Sequence, residues 1–282
     1  MTILERINPL SVAKISALFG IFPGIIFGIF AMFLGLMMRY SNPLILISLL
    51  ICGFVLGIVC GVIYGLVVSL LYNFSSGVVG GIKFEMQKRG KEKGAFALNS
   101  IDPVSYGRIE AISIAVVLVV TVVLILLVNA IFNTGISVAL IAGFGVLGIV
   151  LGALVGFVAG WLNGYFYNFI ALKIEAVQFT LASGKGSFSN ILQYVDYMSY
   201  AKVNAGLIAL WSVISLVIRV VLVLLLILFV GSKTTYLGGT TIIFGVFGGL
   251  FGILTGFVIS IIMAIVYNMF AKRIGGIQVN LK

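Results

Sequence analysis

Long apolar runs recur six times along the chain, at about residues 11–38, 43–71, 109–132, 135–167, 203–230 and 240–266. A helix needs roughly 20 apolar residues to cross the ~30 Å hydrocarbon core of a bilayer. The pattern therefore predicts six transmembrane helices. Short links join them in pairs, and longer polar links at about 73–108 and 168–202 separate the pairs. Outside the runs the period changes to two. Residues 3–7, 96–101 and 191–195 alternate before each pair, and a Gly-Ile-like segment alternates after each pair. These read as short strands, with 82–86 and 96–101 bracketing a charged hairpin turn at 87–94. An isolated hairpin is marginal in water, so one shared sheet tying the pairs together is expected.

The pairs also resemble one another. They open with Asn8-Pro9-Leu10-Ser11-Val12-Ala13-Lys14, Asp102-Pro103-Val104-Ser105-Tyr106-Gly107-Arg108 and Asp196-Tyr197-Met198-Ser199-Tyr200-Ala201-Lys202. They close with Tyr72-Asn73, Tyr167-Asn168 and Tyr267-Asn268. Counting back from each asparagine in fours meets only small residues: Ser69, Gly65, Gly61, Gly57 and Gly53; Gly164, Gly160, Gly156, Gly152 and Gly148; Ala264, Ser260, Gly256, Gly252 and Gly248. The expected fold is an all-α polytopic membrane protein of three tandem two-helix repeats, covering 1–88, 95–182 and 190–282. The repeats stand in a pseudo-threefold arrangement, with short cytoplasmic β-strands below.

Small residues at every fourth position let helix backbones approach closely in lipid. Each even-numbered helix is therefore expected to be an inner helix of a compact bundle, crossing its neighbour near ~−40°. At the pair openings either Ser11, Ser105 and Ser199 or Asn8, Asp102 and Asp196 cap the helix. Lys14, Arg108 and Lys202 would reach head-group phosphate. The three tyrosines fit an aromatic belt, and Asn73, Asn168 and Asn268 would satisfy terminal carbonyls where each helix leaves the bilayer.

Composition agrees with the spans. The 282 residues are 62% apolar and 9% charged, with a mean hydropathy of +1.30. Of 17 basic residues, 14 fall in the termini and long links, and all seven acidic residues lie on that side. The positive-inside rule puts both termini and the long links in the cytoplasm of a cell-membrane protein. The net charge of +10 then reflects orientation and contact with anionic lipid head groups; nucleic acid is not an expected partner. The first span lacks a cleavage region and is expected to remain as a helix.

Catalytic chemistry finds little support. Histidine is absent, Cys52 and Cys60 lie within one apolar run, and no acid pair or phosphate loop lies in the spans. No enzyme activity, metal or cofactor is expected. Arg219 is the one ionisable residue near mid-span, where Ala31 and Ile125 occupy the matching positions. An intramembrane charge costs about 2.5–3.5 kcal/mol on insertion scales and marks a candidate binding site. Asn163 is the other strongly polar in-span candidate, and Asn129 lies near the outer boundary.

The Asp/Asn-Pro-x-Ser-x-x-Lys/Arg opening, Tyr-Asn exit and Gly-Gly-Ile tail resemble a prokaryotic family of two-span transmembrane domains of unknown function, here in three tandem copies. The second copy departs from that pattern at Glu175-Ala176 and the third at Tyr197. The resemblance implies a fold and no activity. The expected function is a non-catalytic membrane scaffold or accessory subunit, with a membrane-protein partner or self-association. The alternative is a channel or passive carrier for a small solute or anion along the pseudo-threefold axis.

Overall fold

The computed structural model describes residues 1–38, 42–90, 94–184, 187–230 and 235–282. Of the basic residues weighed for orientation, Arg39, Lys91, Lys93, Lys185 and Lys233 lie outside these. Each helix pair is entered and left by a strand. The order is β1 (Thr2–Ile7), α1 (Pro9–Met37), α2 (Pro43–Val79), β2 (Ile82–Lys88), β3 (Ala95–Ile101), α3 (Pro103–Phe132), α4 (Val138–Lys173), β4 (Gln178–Ser183), β5 (Asn190–Val195), α5 (Tyr197–Val230), α6 (Thr235–Ile274) and β6 (Ile277–Leu281). All six helices are long and apolar enough to cross a membrane. Large side chains such as Phe27, Phe144 and Phe251 stand exposed along them, a surface that only lipid or another apolar surface can cover. The chain is a multi-pass membrane protein.

Where the odd helices begin, the acid or amide caps and the serine does not. Asn8 Oδ1 accepts from the Leu10 N–H at 3.0 Å, Asp102 from Val104 and Ser105 at 3.3 and 3.2 Å, and Asp196 from Ser199 at 2.7 Å. Pro9 and Pro103 follow their caps, in the first turn where a missing N–H costs nothing. The even helices run past the positions where the sequence suggested they leave the bilayer, to Val79, Lys173 and Ile274. Asn73, Asn168 and Asn268 therefore sit inside helices and do not cap them.

The strands close on themselves. All six form one barrel in chain order, antiparallel throughout, with β1 pairing both β2 and β6. The three ladders that join the exit strand of one pair to the entry strand of the next, β2–β3, β4–β5 and β6–β1, each carry a bulge. Bulges increase local twist and bend, which a ring this small requires. On β2, Ile82, Phe84 and Met86 are buried or half-buried while Lys83, Glu85 and Gln87 are exposed. Registering the other strands on β2 puts Leu4, Leu98, Ile101, Phe179, Leu181, Leu192 and Val279 on the same side. Of these, Leu98, Ile101 and Leu192 pack against the helix residues Tyr167, Ile170, Val203, Ile15 and Tyr267. Even an eight-stranded barrel is just wide enough for side chains to fill, and a ring of six strands is narrower still.

The helix turn into β2 and β6 needs glycine. Gly80 and Gly275 have φ of +83° and +85°, a region open mainly to glycine. A Cβ on Gly81 or Gly276 would overlap the carbonyl oxygen of Leu4 or Leu192. The second pair avoids the requirement. Its α4 ends at Ile174 in right-handed conformation, with the N–H groups of Ile174 and Glu175 both on the Ile170 carbonyl, so Glu175-Ala176 fits there.

Packing within the membrane differs from the expected compact bundle of inner helices. The dominant contacts lie within each pair; between pairs most gather near the barrel. There Ile15 meets Tyr267 and Ala271, Val203 meets Tyr167 and Ile170, and Ser75 Oγ lies 3.0 Å from Ser113 Oγ. The glycine lines are also unequal. Gly53, Gly57, Gly61 and Gly65 of α2 lie directly on the α1 backbone, the first three along Gly28, Gly24 and Gly20 and Gly65 on Ala13. On α4, Gly164 and Gly160 lie on the α3 backbone at Pro103 and Gly107, but Gly156 and Gly152 receive side chains of Ile114 and Leu118; on α6 Gly256 receives Ile208, with Gly252 just touching it. A Cβ at Gly148 or Gly248 would meet nothing within 4 Å. A line of small residues closes a helix pair only when the partner face is equally bare.

Candidate functional site

Two constellations gather the residues the sequence singled out. The first lies where helices meet the barrel, and the same bonds recur in each pair. Tyr72, Tyr167 and Tyr267 are not an exposed interfacial belt: they are 8%, 6% and 6% exposed. Each hydroxyl donates to a carbonyl of the entry strand (Leu4, Leu98 or Leu192) at 2.5 Å. Each also accepts the N–H at the start of the segment leaving the pair, from Ile82, Val177 or Ile277, at 3.4, 3.2 and 3.2 Å. A phenol thus bridges the two strands of one pair.

The next residue extends the ladder. Asn73 accepts the Ile7 N–H at 2.8 Å and donates to the Ile7 carbonyl at 2.7 Å. Asn168 does the same to Ile101, and Asn268 to Val195, all at 2.8 Å. A side-chain amide carries one donor and one acceptor in a plane, so each asparagine stands in for the backbone of a missing strand residue.

The serines join one pair to the next. Ser105 Oγ accepts the Lys83 N–H, Ser199 Oγ that of Gln178, and Ser11 Oγ that of Gln278, each at 3.0 Å. The carbonyls of the same three strand residues accept the N–H of Asp102, Asp196 and Asn8 at 2.8, 2.9 and 2.9 Å. The serine hydroxyl proton goes to the cap carbonyl at 2.8–3.2 Å. Ser11 thereby ties the first helix to the last strand. Among the described residues no buried side-chain polar atom lacks a partner. Lys14, Arg108 and Lys202 all stand exposed at the feet of the odd helices, and Lys202 pairs with Glu175 at 3.0 Å.

The second constellation is a groove of about 630 Å³ in the third pair, reaching to α4, and it brings Arg219 and Asn163 to one space. Asn163 Oδ1 accepts from Trp211 Nε1 at 2.7 Å, and the Trp211 ring meets Phe166 edge-on. Arg219 is exposed to the groove, its Nε 3.4 Å from Ser215 Oγ. Asn204, Ser212 and Ser215 line the same wall. The sequence reading passed over these three, although with Trp211 and Arg219 they fall on one helical face. Asn204 donates to Ser260 Oγ at 2.6 Å, which in turn donates to the Gly256 carbonyl. Asn129 lies outside the groove and donates to the Ile136 carbonyl.

Among the described residues no cluster of potential metal ligands occurs. Compared with family models, curated proteins and solved structures, the chain matches none of them.

Proposed function

We propose that the protein is a non-catalytic membrane scaffold or accessory subunit of a membrane complex. In this reading three tandem two-helix units stand in a pseudo-threefold arrangement around the barrel, each related to the two-span domain family its motifs resemble. The observation that carries it is the use made of the recurring polar residues. Tyr72, Asn73, Ser11 and their counterparts spend their hydrogen bonds on backbone that joins strand to helix and pair to pair, which is an architectural role. The basic residues around this clasp favour a cytoplasmic barrel in a cell membrane, resting on anionic lipid. The glycine line of α2 acts as a helix zipper, and the exposed apolar faces are left for partner helices.

An axial channel fits these features less well. In the threefold reading a closed six-stranded barrel would lie across that path, and even eight strands leave only enough room for side chains.

Extraction in a mild detergent followed by affinity purification and mass spectrometry tests the scaffold. A membrane protein recovered in stoichiometric amount is the expected result. Recovery of the folded chain alone, from membranes at native abundance, would overturn it.

A further inference from the structure

The third helix pair is open where the first is closed. Gly53 of α2 would place a Cβ 2.5 Å from the Gly28 Cα, whereas nothing stands near the matching Gly248 of α6. The second pair has a cleft at the same place, about 470 Å³, lined by Leu118, Val122, Ile125 and Thr121. Its one hydroxyl, on Thr121, donates to the Val117 carbonyl of its own helix at 2.8 Å. Opening a pair therefore does not by itself make a polar groove. The third pair alone carries Asn204, Ser212, Ser215 and Arg219 along the wall.

Height along α5 gives the polarity its meaning. The helix has 34 residues, about 51 Å at 1.5 Å per residue, so its ends overshoot a ~30 Å hydrocarbon core. With Lys202 at the head-group level, Asn204 stands just inside that boundary. Arg219 then lies about 25 Å further along, within about 5 Å of the opposite boundary. This is shallower than the mid-span position expected from the sequence. Trp211, bonded to Asn163, and Ser212 and Ser215 occupy the heights between. Polar groups thus mark the groove from one interface to the other.

Arg219 also needs an anion. Among the described residues no carboxylate lies within ion-pair distance of it, and the guanidinium is exposed, as is Phe244 on the facing helix at 74%. The groove opens sideways to the bilayer, where the abundant anion is the phosphodiester of a lipid.

We propose that the α5–α6 groove admits phospholipid headgroups and passes them between leaflets, the acyl chains remaining in the bilayer: a passive lipid-scrambling activity. Arg219 receives the phosphate at the barrel-distal interface. The hydroxyls of Ser215 and Ser212 and the Trp211–Asn163 pair offset part of the headgroup's lost hydration in the middle. Gly245, Gly248 and Gly249 leave much of the facing wall without side chains. No bond is made or broken, and net movement follows the imbalance between leaflets.

The test reconstitutes the full chain in phosphatidylcholine–phosphatidylglycerol vesicles carrying a trace of nitrobenzoxadiazole-labelled phosphatidylcholine, bleached from outside with dithionite. With wild type, bleaching should proceed into the inner-leaflet pool, while entrapped inorganic phosphate stays inside. Gly248→Phe fills open space in the groove, and Arg219→Leu removes the phosphate ligand. Each should slow the transfer at least about tenfold, the factor given by ~1.4 kcal/mol of lost compensation. Gly148→Phe, equally uncrowded in the second pair, should leave the rate unchanged. Bleaching that stops at the outer-leaflet pool would overturn the proposal. So would wild-type rates in both groove variants when folded, equal slowing by Gly148→Phe, or phosphate leakage without lipid transfer.

Discussion

The triple variant Asn73→Asp/Asn168→Asp/Asn268→Asp will lose the barrel and keep its helices. Each amide holds both backbone groups of one strand residue, as Asn73 holds the N–H and carbonyl of Ile7 at 2.8 and 2.7 Å. A carboxylate keeps the acceptor, loses the donor, and sets negative charge beside the carbonyl it formerly bonded. Leaving a buried acceptor unsatisfied costs about 1–3 kcal/mol, and a misplaced charge adds to it. Three such sites share one closed ring, so their losses compound there, whereas the helix hydrogen bonds are internal to each span. Hydrogen exchange followed by mass spectrometry should show the strand peptides 2–7, 95–101 and 190–195 exchanging like unfolded chain while the spans stay protected. Strand protection equal to wild type would mean that the amides do not carry the ladder.

A matched set of glycine substitutions should separate the pairs. Gly53, Gly148 and Gly248 occupy the same step of their lines, yet only Gly53 lies against a backbone. Gly53→Leu must push α1 away along the seam that also holds Gly57 and Gly61. Overpacking of this kind costs about 1–3 kcal/mol, occasionally more, and rigid helix backbones cannot yield as side chains do. Gly148→Leu and Gly248→Leu place the new side chain in open space and should leave thermal stability in detergent unchanged. Equal melting shifts for all three would contradict the asymmetry.

Much of this fold could be read from residues and some of it could not. Run length and a change of period from helical to two located the strands to within two residues and the helices to within eight, because lipid and a half-buried sheet impose those periods directly. The recurring Ser, Tyr and Asn were visible as positions, but their partners were not. Those partners are backbone groups, which any sequence could supply: Ser11 meets the N–H of Gln278 at the far end of the chain. Closure of the barrel was hidden for the same reason, since the pairing of β1 with β6 is encoded only in register and bulges.

The glycine lines were read from one side only. The Gly20, Gly24 and Gly28 series on α1 was available as the signal that the first pair stays closed as far as Gly53, where the others open. Arg219 and Asn163 were singled out as isolated polar residues. Their common groove depends on α4, α5 and α6 coming together, which no spacing within one helix reveals. Asn204 escaped notice because it stands beside Lys202, where a polar side chain needs no explanation.

Closure of the barrel by the first and last strands is the central claim, and one cross-link tests it most directly. Arg6 and Asn280 face each other across the β1–β6 ladder. Directly opposed residues of an antiparallel pair have Cα atoms about 4.5–5.5 Å apart, inside the ~4.4–6.8 Å that a disulfide spans. In a chain with Cys52 and Cys60 replaced by alanine, Arg6→Cys/Asn280→Cys in native membranes should form an intramolecular disulfide under mild oxidation. It would appear as a reducible, faster-migrating monomer on a denaturing gel. Free thiols after oxidation, or disulfide-linked dimers in place of that monomer, would contradict a barrel closed within one chain.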